Sequence, residues 1–490
     1  MTSFVEAARR EKLAELVRRG VAPYAYRFER SGTARGAVER FRDGDAGVHR
    51  LAGRLTLLRP HGKATFGHLE DASGRIQLYF KMDQLGADAY EVVKLLDLGD
   101  FVGVEGPLFK TKTGEITVRV DRLTLLSKSL RPLPLGKEDA GGVRHGELQD
   151  PELRARQRYA DLAVHPEVRE TFRLRARMVS YLRTFLDTRG YLEVETPVLQ
   201  PLYGGATARP FSTRYEALDR EFYLRIADEL YLKRCIVGGL EKVYEIGHDF
   251  RNEGLSRFHN PEFTMAEWYE AYADYQDMLG LTEAMLAGLV QELFGTTTLE
   301  RHGATLSFAR PFGRKDYYAL VRETAGVDLA AATDGQLREA LKRRNVAEAD
   351  ALAGAKLVDE VFKTYVEPTL VQPTFVLDYP IALSPLAKVK RGDPTRVERW
   401  ELFIQKREIA NAFSELNDPE EQARRFAQQA RLRAAGDEEA QRLDEDFLRA
   451  LEYGMPPTGG VGLGIDRLLM ILADQTNIRD VILFPMLRPE

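Results

Sequence analysis

The chain has 490 residues, which is long for one hydrophobic core and predicts two or three domains. Its 70 basic and 75 acidic residues give a formal net charge of −5, so any nucleic-acid contact needs local basic patches. The single cysteine, Cys235, excludes an internal disulfide and a cysteine-built zinc site. Charges near the start and the shortness of every apolar run predict a cytoplasmic protein with no signal peptide and no membrane span.

The first 130 residues predict a helix, an irregular stretch and then a series of strands. Residues 4–20 have the pattern of an amphipathic helix, whereas residues 31–47 lack periodicity and indicate a loop or linker. A second helix is predicted at 88–97, and the five strands are 48–58, 64–70, 75–81, 101–109 and 115–126. Five strands with a helix after the third is the order of an OB barrel, which binds single-stranded nucleic acid.

Three side chains of this barrel are candidates for binding single-stranded nucleic acid. Phe66 would stack a base, and Gln77 and Glu115 would read its polar edge. Each of them alone is more typical of an ordinary barrel-core or surface residue.

Prolines and glycines after residue 131 indicate a linker over 131–150, and mixed helices and strands follow over 151–490. The predicted helical regions are 152–162, 168–189, 228–237, 273–295, 334–365 and a charged, solvated insert at 420–453. We therefore expect an α+β fold: an N-terminal helix and linker over 1–47, a five-stranded OB barrel over 48–130, and a larger domain with an antiparallel sheet flanked by helices.

Two strands, 243–251 and 262–269, are joined by a polar loop. Strand alternation places Asp249 and Arg251 on one face, and Phe263, Glu267 and Tyr269 on one face of the next strand. An arginine, an aromatic ring and a carboxylate on one floor suit a nucleotide held by charge and stacking. A hairpin with solvated polar residues is the alternative.

A second hairpin is predicted from Trp400–Ile404, a turn at 405–407, and a strand over 408–416. Glu408 is out of phase with Asn411, Phe413 and Glu415, so it joins their face only through a β-bulge between 408 and 411, which we predict. Glu401 and Glu408 would then form a carboxylate pair suited to Mg²⁺ and bound phosphates.

A glycine-rich strand, residues 459–464, leads to Arg467 at the opening of a helix. Such a strand lets a ligand approach the backbone, and the arginine suits triphosphate oxygens. The Tyr203–Ala206 stretch indicates a flexible lip, or alternatively a plain turn. Glu229 is either a ligand-binding carboxylate or a residue that favours the positive end of its helix.

Together these pieces resemble the class II aminoacyl-tRNA synthetases, and in particular the bacterial lysine-specific group. Residues 190–197, 250–263 and 462–467 are similar to the three class motifs, in the family's order, and the barrel resembles its anticodon-binding domain. The 224–234 and 411–418 stretches are similar to the signature of the lysine-specific enzymes. The resemblance implies a homodimer, built around Pro197, that joins L-lysine to tRNA(Lys) with ATP and Mg²⁺.

The resemblance also implies a role for individual residues in the lysine pocket. Lysine-binding roles fall on Gly205, Glu229, Glu267, Tyr269, Asn411, Phe413 and Glu415. Among these, Glu229 and the Gly205 backbone would hold the α-amino group, Glu415 and Tyr269 the ε-ammonium. Phe413 would pack the methylenes, and Asn411 with Arg251 would grip the carboxylate. The carboxylates of this set fit a lysine substrate, because a cationic side chain in a confined pocket needs a carboxylate partner.

For ATP, the resemblance implies that Phe263 stacks adenine and Glu253 contacts its amino edge. His259 and Arg467 would meet the β- and γ-phosphates, and Arg251 and Arg467 are the expected catalytic residues.

Three other functions stay open at this point. An aspartate- or asparagine-specific relative would need a cation or amide where Glu415 stands. A catalytically silent RNA-binding relative would have lost a motif arginine or a metal carboxylate, and both pairs are present. A truncated relative that lysylates proteins would lack the barrel.

Overall fold

The computed structural model describes residues 3–44, 47–138, 144–434 and 442–489. The chain forms two compact units, Met1–His165 and Pro166–Glu490, and each has its own hydrophobic core. The predicted α+β class is confirmed.

The first unit is built around one curved sheet. Its helices are α1 (Phe4–Arg18), α2 (Ala34–Arg40), α3 (Met82–Leu85), α4 (Ala87–Leu95), α5 (Pro151–Arg156) and α6 (Arg158–Val164). Its strands are β1 (His49–His61), β2 (Ala64–Glu70), β3 (Arg75–Lys81), β4 (Phe101–Gly106), β5 (Leu108–Lys110), β6 (Ile116–Arg119), β7 (Arg122–Ser127), β8 (Leu135–Glu138) and β9 (Arg144–Glu147).

The OB topology is present, although the hydrogen-bonded sheet does not close into a full barrel. The strand order is β5-β6-β3-β2-β1-β4-β7, with β3 and β6 parallel. The predicted fourth and fifth strands each break in two, because β4 and β5 pair separately with β7 and β6. Alternate residues of β2 and β3 point into the core, among them Leu69, Ile76 and Leu78.

The expectation of a loop over 31–47 is wrong in part, since α2 forms within it. The side chain of Thr33 caps this helix by accepting a hydrogen bond from the Gly36 N–H. Ala34 and Ala37 are buried against the barrel core. Two small alanines are too weak a periodic signal to indicate a helix of seven residues.

The second unit is larger and mixes helices with strands. Its helices are α7 (Pro166–Asp187), α8 (Glu229–Val237), α9 (Tyr275–Phe294), α10 (Tyr317–Ala325), α11 (Asp334–Arg343), α12 (Ala355–Tyr365), α13 (Pro419–Ala434), α14 (Glu445–Glu452) and α15 (Ile465–Leu472). Its strands are β10 (Leu192–Glu193), β11 (Leu199–Gln200), β12 (Ser212–Tyr215), β13 (Arg220–Leu224), β14 (Lys242–Phe250), β15 (Glu262–Ala271), β16 (Thr298–Arg301), β17 (Ala304–Ser307), β18 (Gly313–Asp316), β19 (Thr374–Leu377), β20 (Val389–Lys390), β21 (Asp393–Val397), β22 (Arg399–Ile404), β23 (Arg407–Ser414) and β24 (Thr458–Gly464).

An eight-stranded sheet organises this unit, in the order β10-β14-β15-β24-β23-β22-β19-β18. Only its two outer pairs, β10 with β14 and β18 with β19, are parallel, so the described sheet is largely antiparallel, as predicted. One face is apolar: Trp268, Val461, Ala412 and Trp400 lie opposite one another on four successive strands, and all are buried. Helices α7, α9 and α15 contribute to the core on this face, which leaves the other face for a site.

The helical insert predicted at 420–453 contains α13 and α14, and residues 435–441 lie outside the described ranges. Buried Phe426 and Phe447 join these helices to α8, so the insert has an apolar side in addition to its charged one. Within the described ranges, every helix is too short or too polar to span a bilayer.

Candidate active site

A row of residues across five strands forms the polar floor of the site. Glu245, Glu267, Gly462, Asn411 and Glu401 lie opposite one another on β14, β15, β24, β23 and β22. Directly opposed residues share a face of the sheet, so the row confirms the predicted common face of the first two strands. Because Gly462 has no side chain, the middle of the row is open.

The next row repeats the pattern with Tyr269, Gly460, Phe413 and Arg399. A Cβ atom on Gly460 would lie 2.2 Å from Glu415 Oε1 and 2.4 Å from the Tyr269 ring. Glycine is therefore required at this position for the two neighbouring side chains to meet over the strand. The glycine-rich strand noted in the sequence is the centre of the floor.

Above these rows lies a cavity of about 340 Å³. It brings together every residue predicted for this site except Glu401: Gly205, Glu229, Arg251, Glu253, His259, Phe263, Glu267, Tyr269, Glu408, Asn411, Phe413, Glu415 and Arg467. Residues that are far apart in the sequence thus share one cleft with an acidic end and a basic end.

The acidic end contains a cation that the sequence analysis missed. The Lys233 ammonium donates to Glu229 Oε1 at 2.5 Å and forms an ion pair with Glu415 Oε2 at 2.5 Å. The Lys233 side chain is fully buried, with 0% exposure. Glu415 was predicted to bind the ε-ammonium of the substrate, yet its carboxylate already forms an ion pair with Lys233 of the chain itself.

Burial is also the main influence on the pKa of another acid at this end, Glu267. Burial raises the pKa of Glu267 well above its usual value, and Asp249 and Glu229 raise it further. The Tyr269 hydroxyl donates to Glu267 Oε2 at 3.1 Å, so this tyrosine has an internal partner as well.

A second buried cluster lies next to Arg251. The Arg225 guanidinium forms ion pairs with Asp228 at 2.8 Å, Glu245 at 2.6 Å and Asp249 at 3.3 Å. Burial and the neighbouring Asp249 raise the pKa of Asp228 to about 10, and its ion pair with Arg225 opposes this shift. Burial therefore disfavours a full set of negative charges in this cluster.

The basic end contains the two motif arginines. Arg251 donates from Nε to the Ile226 carbonyl at 3.2 Å, and its guanidinium lies 5.0 Å from the centre of the Phe263 ring. Arg467 donates to Glu408 Oε2 at 3.2 Å and to His259 Nε2 at 3.1 Å. Burial and Arg467 lower the pKa of His259, which favours the neutral imidazole that accepts this bond.

The predicted β-bulge is confirmed. Leu402 pairs with Ala410 and Phe403 with Glu408, so Ile409 is the additional residue and Glu408 joins the face of Asn411. The predicted three-residue turn is wrong: the turn has two residues, Gln405 and Lys406, both with positive φ. A two-residue turn of this kind matches the twist of paired strands, and it places Arg407 already in β23.

Glu401 and Glu408 both lie in this hairpin, and their role as a metal-binding pair stays a prediction. Glu401 accepts a hydrogen bond from the Tyr379 hydroxyl at 2.7 Å and forms an ion pair with Arg399. Burial raises the pKa of Glu401 to about 7; Arg399 opposes this effect and Glu408 adds to it. Across the described ranges no three His, Cys, Asp or Glu side chains form a self-sufficient metal site. Two oxygen ligands fit Mg²⁺, which completes its shell with phosphates and water.

Two further arginines were missed because nothing in the sequence marks them. Arg399 donates to Asn411 Oδ1 at 3.0 Å, which leaves the amide N–H of Asn411 free to face a ligand. Arg407 lies 4.4 Å from the Phe258 ring, and its Nη1 has no hydrogen-bond partner among the described residues.

The three nucleic-acid candidates of the first unit lie on one face of its sheet. The Phe66 ring lies 4.8 Å from that of Tyr79, and Tyr79 lies 5.9 Å from Phe109. Gln77 donates to Glu115 Oε2 at 2.7 Å. A strip of aromatic rings beside polar edge-readers suits a single strand, and the sequence analysis missed Tyr79 and Phe109.

Comparison with known families agrees with this geometry. Residues 150–488 match the family described as tRNA synthetases class II (D, K and N), and residues 49–126 match the OB-fold nucleic acid binding domain. The chain belongs to the class II tRNA synthetases.

Curated proteins of similar sequence are named for one amino acid, lysine. The chain is 51% identical to the lysine–tRNA ligase of Carboxydothermus hydrogenoformans over 98% of its own length and 97% of that protein. It is 52% identical to the lysine–tRNA ligase of Moorella thermoacetica over 99% and 98% of the two chains. The lysine–tRNA ligase of Pelotomaculum thermopropionicum is 51% identical, over 98% and 94%.

Proposed function

We propose that this chain is an ATP-dependent lysine–tRNA ligase, which activates L-lysine as lysyl-adenylate and transfers it to the 3′ end of tRNA(Lys). The observation that carries the proposal is a single cleft with buried carboxylates at one end and paired arginines at the other. Identity of about 51% to proteins named lysine–tRNA ligase supports it along the whole chain.

The acidic end is the site for the amino acid. Glu229 would accept from the α-ammonium with the Gly205 backbone, and Glu415 with Tyr269 from the ε-ammonium. Asn411 and Arg251 would hold the carboxylate, Phe413 would cover the methylenes, and Glu267 belongs to the same floor. Aspartate or asparagine would bring a carboxylate or an amide to this acidic wall, which disfavours both.

The basic end is the site for ATP. Phe263 would stack adenine, Glu253 would contact its amino group, and His259 with Arg467 would hold the outer phosphates. Glu401 and Glu408 would hold Mg²⁺, which neutralises phosphate charge when it is bound. Glu401 already pairs with Arg399, so Mg²⁺ would share this carboxylate with that arginine.

The chemistry needs no protein nucleophile. A carboxylate oxygen of lysine attacks the α-phosphorus of ATP, the α–β anhydride bond breaks, and pyrophosphate leaves with the electron pair. The terminal adenosine hydroxyl of tRNA then attacks the lysyl carbonyl, loses its proton, and AMP leaves. Arg251 contributes by orienting the carboxylate and stabilising charge at the α-phosphate, and Arg467 does so at the outer phosphates.

The remaining parts of the proposal concern partners. The OB face with Phe66, Gln77 and Glu115 would bind the anticodon of tRNA(Lys). By the same family resemblance the enzyme is a cytoplasmic homodimer. A catalytically silent role is disfavoured because the chain has both motif arginines and both hairpin glutamates.

Charging of purified tRNA with labelled amino acids tests the proposal. We expect lysine to form an ester with tRNA(Lys), dependent on ATP. Charging of tRNA(Asp) with aspartate or tRNA(Asn) with asparagine, with no lysyl product, would refute it.

A further inference from the structure

Lys233 is the most unexpected residue of the site, because it is a buried lysine inside a cavity proposed to bind lysine. It comes from the same helix, α8, as Glu229, one turn further along. The charged and titratable groups that face it are Glu229 from α8, Glu415 at the end of β23, and Tyr269 with Glu267 from β15.

Lys233 engages only one oxygen of each carboxylate. It contacts Glu229 Oε1 and Glu415 Oε2, each at 2.5 Å. Glu415 Oε1 is buried and has no hydrogen-bond partner in the described part of the chain. That oxygen lies against Gly460 and the Tyr269 ring, on the wall of the cavity. Glu415 thus keeps an oxygen for a further donor.

Without Lys233, two neighbouring buried carboxylates would share a proton. Like charges in a dry site are not both ionised at neutral pH, and one of them becomes a neutral acid. A neutral acid is a poor partner for the ammonium of a substrate. Burial raises the pKa of Glu415 to about 8, Lys233 opposes this shift and Glu229 adds to it, so the permanent cation between the two carboxylates reduces the problem.

We propose that Lys233 is a specificity-determining positioning residue that stays between Glu229 and Glu415 when lysine binds, favouring the ionised form of both and turning their outer oxygens to the two substrate ammoniums. This inference rests on the proposed function. In the occupied site, charges alternate from the α-ammonium through Glu229, Lys233 and Glu415 to the ε-ammonium. Lys233 itself does not touch the reacting atoms.

In the alternative role, the Lys233 ammonium occupies the position of the substrate ammonium in the empty pocket and has to move away when lysine binds. Lys233 would then compete with the substrate for Glu415, and its removal would tighten lysine binding. The two roles therefore predict opposite signs for one measurement, the KM for lysine after Lys233 is neutralised.

The experiment measures lysine-dependent pyrophosphate exchange for wild type, Lys233→Met and Lys233→Gln, from about pH 6 to about pH 8.5. At about pH 7 we expect the KM for lysine to rise about 10- to 100-fold in both variants, with the KM for ATP unchanged. The increase should shrink as pH rises, because the shared proton leaves. Lys242→Met is the matched control, since Lys242 pairs with Glu270 outside the cavity.

A second readout is discrimination against 2-aminoheptanoic acid, which carries a methyl group in place of the lysine ammonium. The ratio of lysine to analogue affinity should fall about tenfold or more in Lys233→Met. A lower KM for lysine in the variants, or a KM equal to wild type at every pH, would overturn the inference.

Poor folding would reduce the active fraction and hence kcat, but not raise the KM with a pH dependence. If neither variant folds, Lys233→Arg replaces them, because a guanidinium keeps the charge but not the position of the ammonium. A raised KM for lysine with an unchanged KM for ATP then supports the inference, and a KM for lysine equal to or below wild type contradicts it. Absence of lysine-dependent exchange in the wild type would instead refute the proposed function.

Discussion

At the scale of single residues, the account depends on charges held in fixed positions. Arg251 is anchored by the Ile226 carbonyl and lies over Phe263. Replacing it by lysine keeps a charge but removes the planar fork that holds a carboxylate and a phosphate together.

We predict that Arg251→Lys lowers the rate of pyrophosphate exchange about 10²- to 10³-fold, as removal of comparable electrostatic donors does. Initial-rate exchange with saturating lysine and ATP measures this. Arg424→Lys is the control, because Arg424 is 73% exposed on α13 and pairs only with Glu421 among the described residues. A loss below tenfold for Arg251→Lys would remove it from the mechanism.

The order of residue types along the chain was enough to predict most residues of the cleft. The residues that were missed have a common cause, because their roles depend on contacts between distant parts of the chain. Glu229 and Lys233 are spaced i,i+4 on a helix, which in a sequence is typical of an exposed salt bridge. Only the register of β23 and β24 brings Glu415 to the same ammonium. Arg399 was missed likewise, since its role depends on Asn411 lying across the hairpin.

At the scale of elements, β24 is the strand that makes room for a ligand. Gly460→Ala would place a methyl group 2.2 Å from Glu415 Oε1, so the carboxylate or the strand must shift. We predict that the KM for lysine rises about tenfold or more, while the KM for ATP changes little.

Gly464→Ala is the matched control on the same strand, because its added Cβ would have no neighbour closer than 3.6 Å. Steady-state exchange as a function of lysine and of ATP concentration separates the two effects. Equal KM values for lysine in the two variants would show that the Gly460 position is not part of the amino-acid pocket.

The OB sheet gives a prediction that separates tRNA binding from adenylation. Phe66→Ala removes one ring of the aromatic strip, and stacking contributes about 1–3 kcal/mol per base. We expect kcat/KM for tRNA(Lys) charging to fall about 10- to 100-fold with pyrophosphate exchange unchanged. Phe4→Ala, at an 89% exposed phenylalanine of α1, should change neither reaction. A parallel loss in both reactions would exclude an anticodon role for Phe66.

Element boundaries were predictable where local chemistry dictates them and not elsewhere. The bulge at Ile409 followed from the mismatch between Glu408 and the alternation of its strand. The break of the fourth barrel strand after Gly106 did not, because it depends on a long-range contact: a Cβ there would lie 1.8 Å from the Arg119 carbonyl.

At the scale of the whole molecule, the first unit contains a buried ion-pair network that links its stability to pH. Asp97 pairs with Lys12 and Lys128, each at 2.6 Å, and Lys128 also pairs with Asp100 at 2.8 Å. Burial alone would raise the pKa of Asp97, but the two ammoniums outweigh it and lower the pKa below the unfolded value.

A folded pKa below the unfolded value contributes stability above the unfolded pKa and loses it as pH falls through the folded value. We predict that Asp97→Asn destabilises the protein by about 1–3 kcal/mol near pH 7, with a smaller difference in acid. Urea unfolding at several pH values, followed on the first unit, measures this. Asp83→Asn, at a 63% exposed carboxylate, is the control. A difference that grows as pH falls would contradict the assignment.

The α+β class was predictable because a series of short strands gives way to mixed helices and strands after the proline-rich stretch that follows residue 131. The sequence could not show that the sheet would be open, since closure depends on whether the edge strands β5 and β7 pair with each other. Nor could it show which acids have their pKa raised by burial, because that depends on packing rather than order.

Amino-acid-dependent pyrophosphate exchange, run with each of the twenty amino acids in the presence of ATP and Mg²⁺, tests the central claim most directly. The acidic end of the cleft predicts strong exchange with lysine alone. Exchange driven by aspartate or asparagine, with lysine inactive, would contradict the claim that buried carboxylates select a cationic side chain.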